Sequence, residues 1–161
     1  MEHILSFFVV AFSQLMFFII HAYSVGESDK ISKYLKIGVL IGLPFGIIFD
    51  LIIGKTIGMF HYELGFVWWF LIINGIFSYG FMIANVLLLK GHSLPHMYFW
   101  SAGLGLTYEV VNWRFSVWEW DFASSFLEYL FVIFIAYAGL TWLIMLVLRV
   151  TKGVNFRLIP F

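Results

Sequence analysis

The sequence predicts an all-α membrane protein with five transmembrane helices, and two observations carry that prediction. Of its 161 residues, 63% are hydrophobic and only 11% are charged, and the mean hydropathy is +0.99. A soluble domain has about a quarter of its residues charged, and a disordered chain is much less hydrophobic. The apolar residues also fall into five runs that are long enough to cross a bilayer, which takes about 20 residues of helix. The composition excludes both a soluble globule and a disordered chain.

The five apolar runs define the predicted helices, which cover residues 4–24, 37–54, 67–89, 97–113 and 125–148. The first run lies where a secretion signal would lie. However, Glu2 stands where such a signal carries basic residues, and the run is longer than the apolar part of a signal. We therefore expect it to be retained as a helix. The connections are short and contain no linker or low-complexity tract, so residues 1–161 are predicted to form a single integral membrane domain.

Basic residues beside the helices predict the orientation of the chain, because cytoplasmic loops are enriched in Lys and Arg. Seven of the nine basic residues lie on the side reached after the first, third and fifth helices: Lys30, Lys33, Lys36, Lys90, Arg149, Lys152 and Arg157. Only Lys55 and Arg114 lie on the other side. The N-terminus is thus predicted outside and the C-terminus in the cytoplasm. We expect the membrane to be the plasma membrane of a prokaryote.

Charge and motif content exclude several functional classes. Nine basic and nine acidic residues cancel, and no basic run marks a polyanion site, so no nucleic-acid partner is expected. Cysteine is absent, which excludes disulfides, thiolate metal sites and thiol catalysis. No phosphate-binding loop, nucleophile elbow or dinucleotide fingerprint occurs, and we expect no cofactor. The expected partner is the lipid bilayer, and assembly into homo-oligomers or hetero-oligomers is left open.

An internal repeat relates the second and third helices to the fourth and fifth. Asp50 in the first copy and Glu109 in the second each follow an aromatic residue, and a basic residue comes five positions after each acid. Each outer loop then carries two aromatics spaced by one residue: Phe60 and Tyr62, then Trp118 and Trp120. Both copies run in the same direction through the membrane. The sequence therefore predicts a first helix followed by two parallel-repeated helix pairs with aromatic outer loops.

Small residues spaced by four place both acids on helix faces that pack against protein. The second helix has such a ridge, formed by Gly38, Gly42, Gly46, Asp50 and Gly54. The fourth helix repeats the pattern with Ser101, Gly105 and Glu109. Small residues at this spacing allow helices to approach closely in lipid. Neither acid is therefore expected to face the lipid.

Three acids within or at the edge of the predicted helices are the candidate catalytic residues: Asp50, Glu109 and Glu128. Acids at such places commonly face a cavity and carry function. A carboxylic acid that is kept neutral by a water-poor pocket can donate a proton. Structural alternatives remain open, since Lys55 and Arg114 could pair with the first two acids, and Glu128 could complement a helix N-terminus.

The candidate substrate-binding residues lie at the same outer level: Asn74, Asn112, Phe60, Trp113, Trp118 and Trp120. Aromatic residues at this level commonly form the interfacial belt of a membrane protein. Alternatively, they line a cavity in which their π faces stabilise a carbocation or a bound cation. A metal site formed by His61 with Asp50 and Glu109 is a third interpretation. His92 and His96 are four residues apart but flank Pro95 in a predicted loop, no other His pair has helical metal-binding spacing, and the sequence predicts no metal.

The motif around Glu109 resembles that of the lycopene cyclase domain family. Tyr108-Glu109, with Trp118 and Trp120 nine and eleven residues after the acid, is similar to the aromatic–acid and Trp-x-aromatic pattern of that family. The copy around Asp50 is a more divergent version, and together the two copies span roughly residues 37–149. Family members are small polytopic membrane proteins that work as paired or fused units and cyclise the ends of a linear carotenoid.

The sequence also departs from the family pattern. The family has a Pro-x-Glu-Glu run at the start of a later helix, where this chain keeps only Glu128 and lacks the proline. Asn74 stands at the corresponding place of the first copy, and Ser116 stands where the family has glycine before the tryptophan.

The resemblance implies an isoprenoid or carotenoid cyclase or isomerase that uses acid catalysis and no cofactor. Glu109 or Asp50 would protonate an alkene, and Glu128 would take the final proton. The alternative is a non-catalytic membrane module, such as a transporter, channel component or partner-binding subunit, whose acids bind cations or protons. A cyclase requires a closed apolar cavity with the acids at its wall. An ion path requires a polar lining that continues inward through Asn74, Ser78, Asn85 and His21.

Overall fold

A computed structural model describes residues 2–115, 117–120 and 126–156, which are mostly helical. The five long helices of this part of the chain are α1 (Glu2–Ser24), α2 (Ile31–Phe49), α3 (Trp68–Leu87), α4 (Leu94–Phe115) and α5 (Phe126–Lys152). Helix α2 continues directly into a π-helical segment, Asp50–Thr56. A π-helical turn, Gly75–Tyr79, lies inside α3. The helical class predicted from the sequence is confirmed.

Four of the five helices start earlier or end later than the apolar runs from which they were predicted, whereas α3 lies within its run of 67–89. α2 begins at Ile31 rather than at 37, and α5 ends at Lys152 rather than at 148. Hydropathy marks only the apolar part of a helix, whereas polar end turns form the same backbone hydrogen bonds. Helices α1, α2, α3 and α5 are long and apolar enough to cross a membrane, and α4 is less apolar than these four.

The two aromatic loops form a β-ribbon, which the sequence did not predict. Strands β1 (Phe60–Tyr62) and β2 (Trp118–Trp120) pair antiparallel, with Phe60 opposite Trp120 and Tyr62 opposite Trp118. Side chains alternate between the two faces of a strand. Phe60 and Tyr62 therefore point into the bundle, while His61 and its partner Glu119 are exposed. The ribbon covers one end of the helices.

The glycine ridge of α2 is its contact with α3. A Cβ atom added to Gly42 would lie 2.5 Å from the backbone nitrogen of Gly80, which is far inside van der Waals contact. Backbone therefore packs directly on backbone at this crossing, as the spacing of small residues predicts. α1 packs against α3 and α4, and α5 packs against α4.

At the end of the bundle opposite the ribbon, a buried histidine joins three helices. His21 of α1 is fully buried, bonds through Nδ1 to Asn85 of α3, and stacks on Trp100 of α4 with ring centroids 3.9 Å apart. Nearby, Glu27 lies between α1 and α2 and accepts hydrogen bonds from Lys30 Nζ at 2.7 Å and from the Tyr34 hydroxyl at 2.8 Å. The hydrogen bond from Lys30 lowers the pKa of the Glu27 carboxyl.

Candidate functional site

Asp50 lies at the junction of α2 and its π-helical extension, and its carboxyl group is enclosed by hydrogen-bond donors. The residue is fully buried. Its Oδ1 atom accepts from the Tyr79 hydroxyl at 2.6 Å and from the Tyr62 hydroxyl at 3.0 Å, and its Oδ2 atom accepts from Asn74 Nδ2 at 2.9 Å. Asn74 also donates to the Tyr62 oxygen at 2.9 Å. These hydrogen bonds replace those that the carboxyl group would make to water. Without them, its burial would cost a large amount of free energy.

Three segments of the chain bring these donors to Asp50. Tyr62 lies on β1, and its side chain points from the inward face of the ribbon toward the helices. Asn74 and Tyr79 both belong to α3: Asn74 directly precedes the π-helical turn Gly75–Tyr79, and Tyr79 is its last residue. A π-helical turn changes the angular spacing of side chains along a helix and is frequent at functional sites.

Glu109 of α4 is enclosed in the same manner by a second set of donors, and only 1% of it is exposed. Its Oε1 atom accepts from the indole nitrogens of Trp120 at 3.0 Å and Trp118 at 3.2 Å, and from the Tyr137 hydroxyl at 3.2 Å. Its Oε2 atom accepts from the Tyr129 hydroxyl and, at 3.5 Å, from Asn112 Nδ2. The ribbon, α4 and α5 therefore converge on this one carboxyl group.

A glycine one helical turn before each acid makes room for a tyrosine donor. A Cβ atom added to Gly46 would lie 2.5 Å from the ring of Tyr79, and one added to Gly105 would lie 2.8 Å from the ring of Tyr137. Each tyrosine therefore packs directly on a glycine and reaches the acid of the next turn. The two acids have matching surroundings on matching helices.

The basic residues that follow each acid by five positions do not neutralise it. Lys55 and Arg114 are both exposed, and among the described residues no ion pair joins either of them to Asp50 or Glu109. The pairing of these two bases with the acids, which the sequence left open, is therefore wrong. Both acids are instead satisfied by neutral donors.

A cavity of about 260 Å³ lies between the two sets of donors. From the Asp50 side it is lined by Tyr62, Asn74 and Tyr79, and from the Glu109 side by Trp118, Trp120 and Tyr137. The rest of the lining is mostly apolar and comes from all five helices and from residues 53–60. Three further lining residues carry buried polar atoms that have no hydrogen-bond partner in the described part of the chain: Gln14, Ser78 and Tyr108.

The carboxyl groups themselves lie behind this wall. Neither Asp50 nor Glu109 is among the lining residues, whereas Tyr79 and Tyr137 both line the cavity and donate to them. The expectation that the acids would form the wall is therefore wrong, because their donors stand between them and the cavity. A ligand would touch hydroxyl groups and aromatic rings that are bonded to the acids.

Most of the other predicted binding residues are brought together. Phe60, Asn74, Trp118 and Trp120 line the cavity. Asn112 holds the ribbon instead: its Oδ1 atom accepts from the backbone nitrogens of Val117 and Trp118, both at 3.0 Å, and its Nδ2 atom donates to the Trp118 carbonyl at 2.8 Å. The side chain of Trp113 falls outside the described residues.

Two other expectations are not matched by the geometry. Glu128 is exposed in the first turn of α5 and does not line the cavity. His61 points away from both buried acids and lies near Glu119, with Nε2 and Oε2 3.5 Å apart, and near Glu63. The interpretation of His61 as a metal ligand shared with Asp50 and Glu109 is therefore wrong, because strand alternation turns it to the outer face.

Tyrosine donors are the functional residues that sequence reasoning missed. Tyr79 follows Asp50 by 29 residues, and Tyr137 follows Glu109 by 28. This nearly equal spacing extends the internal repeat and could have indicated both residues. Tyr129 offers no comparable signal, since no tyrosine occupies its place in the first copy.

The site thus combines two donor-bound acids with an aromatic cavity, an arrangement that can hold an apolar molecule and present hydroxyl protons to it. Aromatic rings can also stabilise a positive charge on a bound molecule. Comparison of the chain with protein-family models, with curated proteins and with solved structures finds no match. The chemistry is therefore inferred from these residues alone.

Proposed function

We propose that this chain binds one end of a linear isoprenoid of the carotenoid class and cyclises or isomerises it by acid catalysis. One observation carries the proposal: an apolar, aromatic cavity whose wall contains hydroxyl groups that are bonded to two buried acids. Apolar cavities that have a few directed polar groups commonly bind small molecules. Water exclusion favours a carbocation reaction, because water would otherwise capture the cation.

The membrane arrangement that we propose places this cavity in the outer half of a bilayer. All five helices, including α4, cross the plasma membrane of a prokaryote, with the N-terminus outside. The distribution of basic residues supports this orientation. The matching surroundings of Asp50 and Glu109 support the view that α2–α3 and α4–α5 are parallel repeats.

Asp50 is the proposed proton donor. Two of its three partners are tyrosine hydroxyls, which can accept as well as donate a hydrogen bond. A protonated Asp50 can therefore turn its proton toward the oxygen of Tyr79, which frees the Tyr79 proton to point into the cavity. Tyr79 would then relay the proton between the acid and the ligand.

Glu109 is the proposed electrostatic partner and stays ionised. Its Oε1 atom faces the N–H groups of Trp118 and Trp120, which can donate but cannot accept. Five donor contacts converge on its two oxygens, and hydrogen bonds donated to a carboxylate stabilise its charged form. The geometry therefore favours the carboxylate, whose negative charge, together with the aromatic wall, would stabilise a cation in the cavity.

The proposed reaction begins as the Tyr79 proton passes to a terminal alkene carbon while the proton of Asp50 passes to the Tyr79 oxygen. The π electrons of the alkene form the new C–H bond and leave a cation on the neighbouring carbon. A second alkene of the same chain attacks this cation and closes a ring. Loss of a proton from the carbon next to the new cation, through Tyr79 to Asp50, restores a double bond. The product is an isomer of the substrate, and Asp50 regains its proton.

This assignment changes the role that was predicted for Glu128. The exposed position of Glu128 favours Asp50, through Tyr79, as the acceptor of the final proton. Proton return by Glu128 stays a prediction, and the variant Glu128→Gln separates the two assignments. We expect it to retain activity, because Glu128 does not line the cavity.

The test is co-expression with a pathway that accumulates a linear carotenoid, followed by separation of the pigments. Wild-type protein should convert the linear pigment into a cyclic isomer. Asp50→Asn, Tyr79→Phe and Glu109→Gln should each lower conversion by at least about 100-fold, the lower end of general acid–base effects. Glu119→Gln and Tyr98→Phe are matched controls at exposed positions and should convert normally. Unchanged pigment with folded wild-type protein would exclude a carotenoid cyclase.

The non-catalytic alternative demands that the acids bind cations or protons. Their oxygens are already occupied by eight donor contacts, three on Asp50 and five on Glu109. A metal cation would have to displace several of these donors. The arrangement therefore favours the enzyme, and a proton or cation flux through wild-type proteoliposomes that Glu109→Gln abolishes would reverse this preference.

A further inference from the structure

Gly139 is the one glycine of the chain that has neither a neighbouring atom within 4 Å of an added Cβ nor a positive φ to explain it. Gly139 lies within α5, where glycine weakens a helix relative to alanine. A Cβ atom added there would meet no atom within 4 Å, whereas one added to Gly105 would lie 2.8 Å from the ring of Tyr137. Close helix packing therefore explains Gly105 and does not explain Gly139.

The open space beside Gly139 belongs to the cavity. Helix α5 lines the cavity with Ala136, Gly139, Leu140 and Leu143, which share one face of the helix. Gly139 is exposed, and Leu143 is 40% exposed. The cavity thus extends from the buried donors to the outer surface of α5.

The other side of this opening comes from the chain that follows α2. Met59 lines the cavity and is 36% exposed, and Ile53 of the π-helical segment lies beside it in the lining. Met59 on this segment and Gly139 and Leu143 on α5 are the exposed residues of the described lining, so the cavity reaches the surface of the bundle at these two segments. The lining residues at both edges, Ile53 and Met59 on one side and Gly139 and Leu143 on the other, are apolar, and α5 is apolar enough to span a membrane. The α5 edge of the opening would face lipid tails.

We propose that this opening is a lateral portal through which a linear isoprenoid chain passes from the bilayer into the cavity, and that Gly139 keeps it wide enough. The reacting end of the chain would lie beneath the ribbon, while the rest of it extends past Gly139 into the lipid. This inference rests on the proposed function, because it takes the ligand class from it. It adds the route of binding and a residue that limits the thickness of the ligand.

The test uses photo-crosslinking in proteoliposomes with a geranylgeraniol probe that carries a diazirine in its chain. We expect crosslinks to residues 53–59 and 136–143, and we expect excess unmodified geranylgeraniol to remove them. Gly139→Leu should lower this competed crosslinking at least tenfold, because the larger side chain fills the opening. Gly139→Ala adds only one methyl group and should retain most of it.

Ala138→Leu is the matched control, because it adds similar bulk to the neighbouring residue, which does not line the cavity. It should crosslink within about twofold of wild type, and thermal melting would confirm that both leucine variants fold. Full competed crosslinking in folded Gly139→Leu would overturn the portal. So would crosslinks confined to lipid-facing residues such as Phe131 and Leu146. Wild type that neither converts the pigment nor shows competed crosslinking would overturn the proposed function as well.

Discussion

Replacing Gly46 by alanine tests whether the tyrosine that packs on it is held in the way described. The added Cβ atom would lie 2.5 Å from Cδ2 of Tyr79 and 2.9 Å from the backbone Cα atom of Gly75. Carbon atoms prefer about 3.5–4.0 Å, so the overlap with the ring exceeds about 1 Å. Because the contact at Gly75 is with a backbone atom, the clash cannot be relieved by moving the Tyr79 side chain alone.

The size of the effect follows from two opposing terms. Overpacking costs up to about 3 kcal/mol in a tight site, and alanine regains about 1 kcal/mol of helix propensity. We therefore expect Gly46→Ala to lower the free energy of unfolding by about 2 kcal/mol. For a chain of this size that corresponds to a melting temperature about 4–8 °C lower.

The assay is thermal melting of purified protein in one fixed detergent, with Gly139→Ala as the matched control. An added Cβ at Gly139 meets nothing within 4 Å, so this variant should keep the propensity gain and melt about 2–4 °C higher. The two substitutions are chemically identical and should shift the melting temperature in opposite directions. Equal shifts would refute the packing of Tyr79 against Gly46, and with it the positioning of the Tyr79 hydroxyl on Asp50.

Three further predictions concern the ribbon, the tyrosine donor of Glu109 and the end of the bundle opposite the ribbon. Asn112→Ala removes the acceptor of two backbone N–H groups, so we expect much faster amide hydrogen exchange at Val117 and Trp118, and unchanged exchange there would contradict the fastening of the ribbon. Tyr137→Phe removes one of five donors to Glu109 and should lower pigment conversion less than Glu109→Gln does, as compared by the same pigment analysis. Lys30 lowers the pKa of Glu27 in the folded protein, so this carboxyl stabilises the fold above its ordinary pKa of about 4.3, and the contribution is lost as the pH falls through the lowered value. When melting is measured between pH 6 and 3, the free energy of unfolding of Glu27→Gln should therefore vary less with pH than that of wild type. The difference should be under about 1 kcal/mol because the pair is partly exposed, and an identical pH profile would refute the linkage.

The helices could be predicted from the sequence because their signal is local. Each apolar run is continuous along the chain, and the four-residue spacing from Gly38 to Gly54 marks one helix face without reference to any other helix. The repeat of acid and aromatic pair likewise indicated that Asp50 and Glu109 have related positions. These features needed only neighbouring residues or a comparison of two short segments.

The ribbon and the donor sets could not be predicted in the same way, because they depend on contacts between distant segments. Three residues of alternating pattern are too short to indicate a strand, and β1 pairs with β2 only because the helices bring residues 60 and 120 together. Tyr79 and Tyr137 look like ordinary helix residues until the fold places their hydroxyls on the acids. For the same reason, the sequence predicted the acids at the cavity wall, whereas in the structure their hydrogen-bond donors form that wall.

The ribbon makes the two halves of the site mechanically dependent on each other. Tyr62 on β1 is bonded to Asp50, Trp118 and Trp120 on β2 are bonded to Glu109, and the two strands are bonded to one another. A change of charge or position at one acid therefore displaces the strand bonded to it, and with it the paired strand that carries the aromatic residues at the other acid. The effects of substitutions at Asp50 and Glu109 should consequently be non-additive. Either substitution alone already loosens the ribbon, which is hydrogen-bonded to both acids.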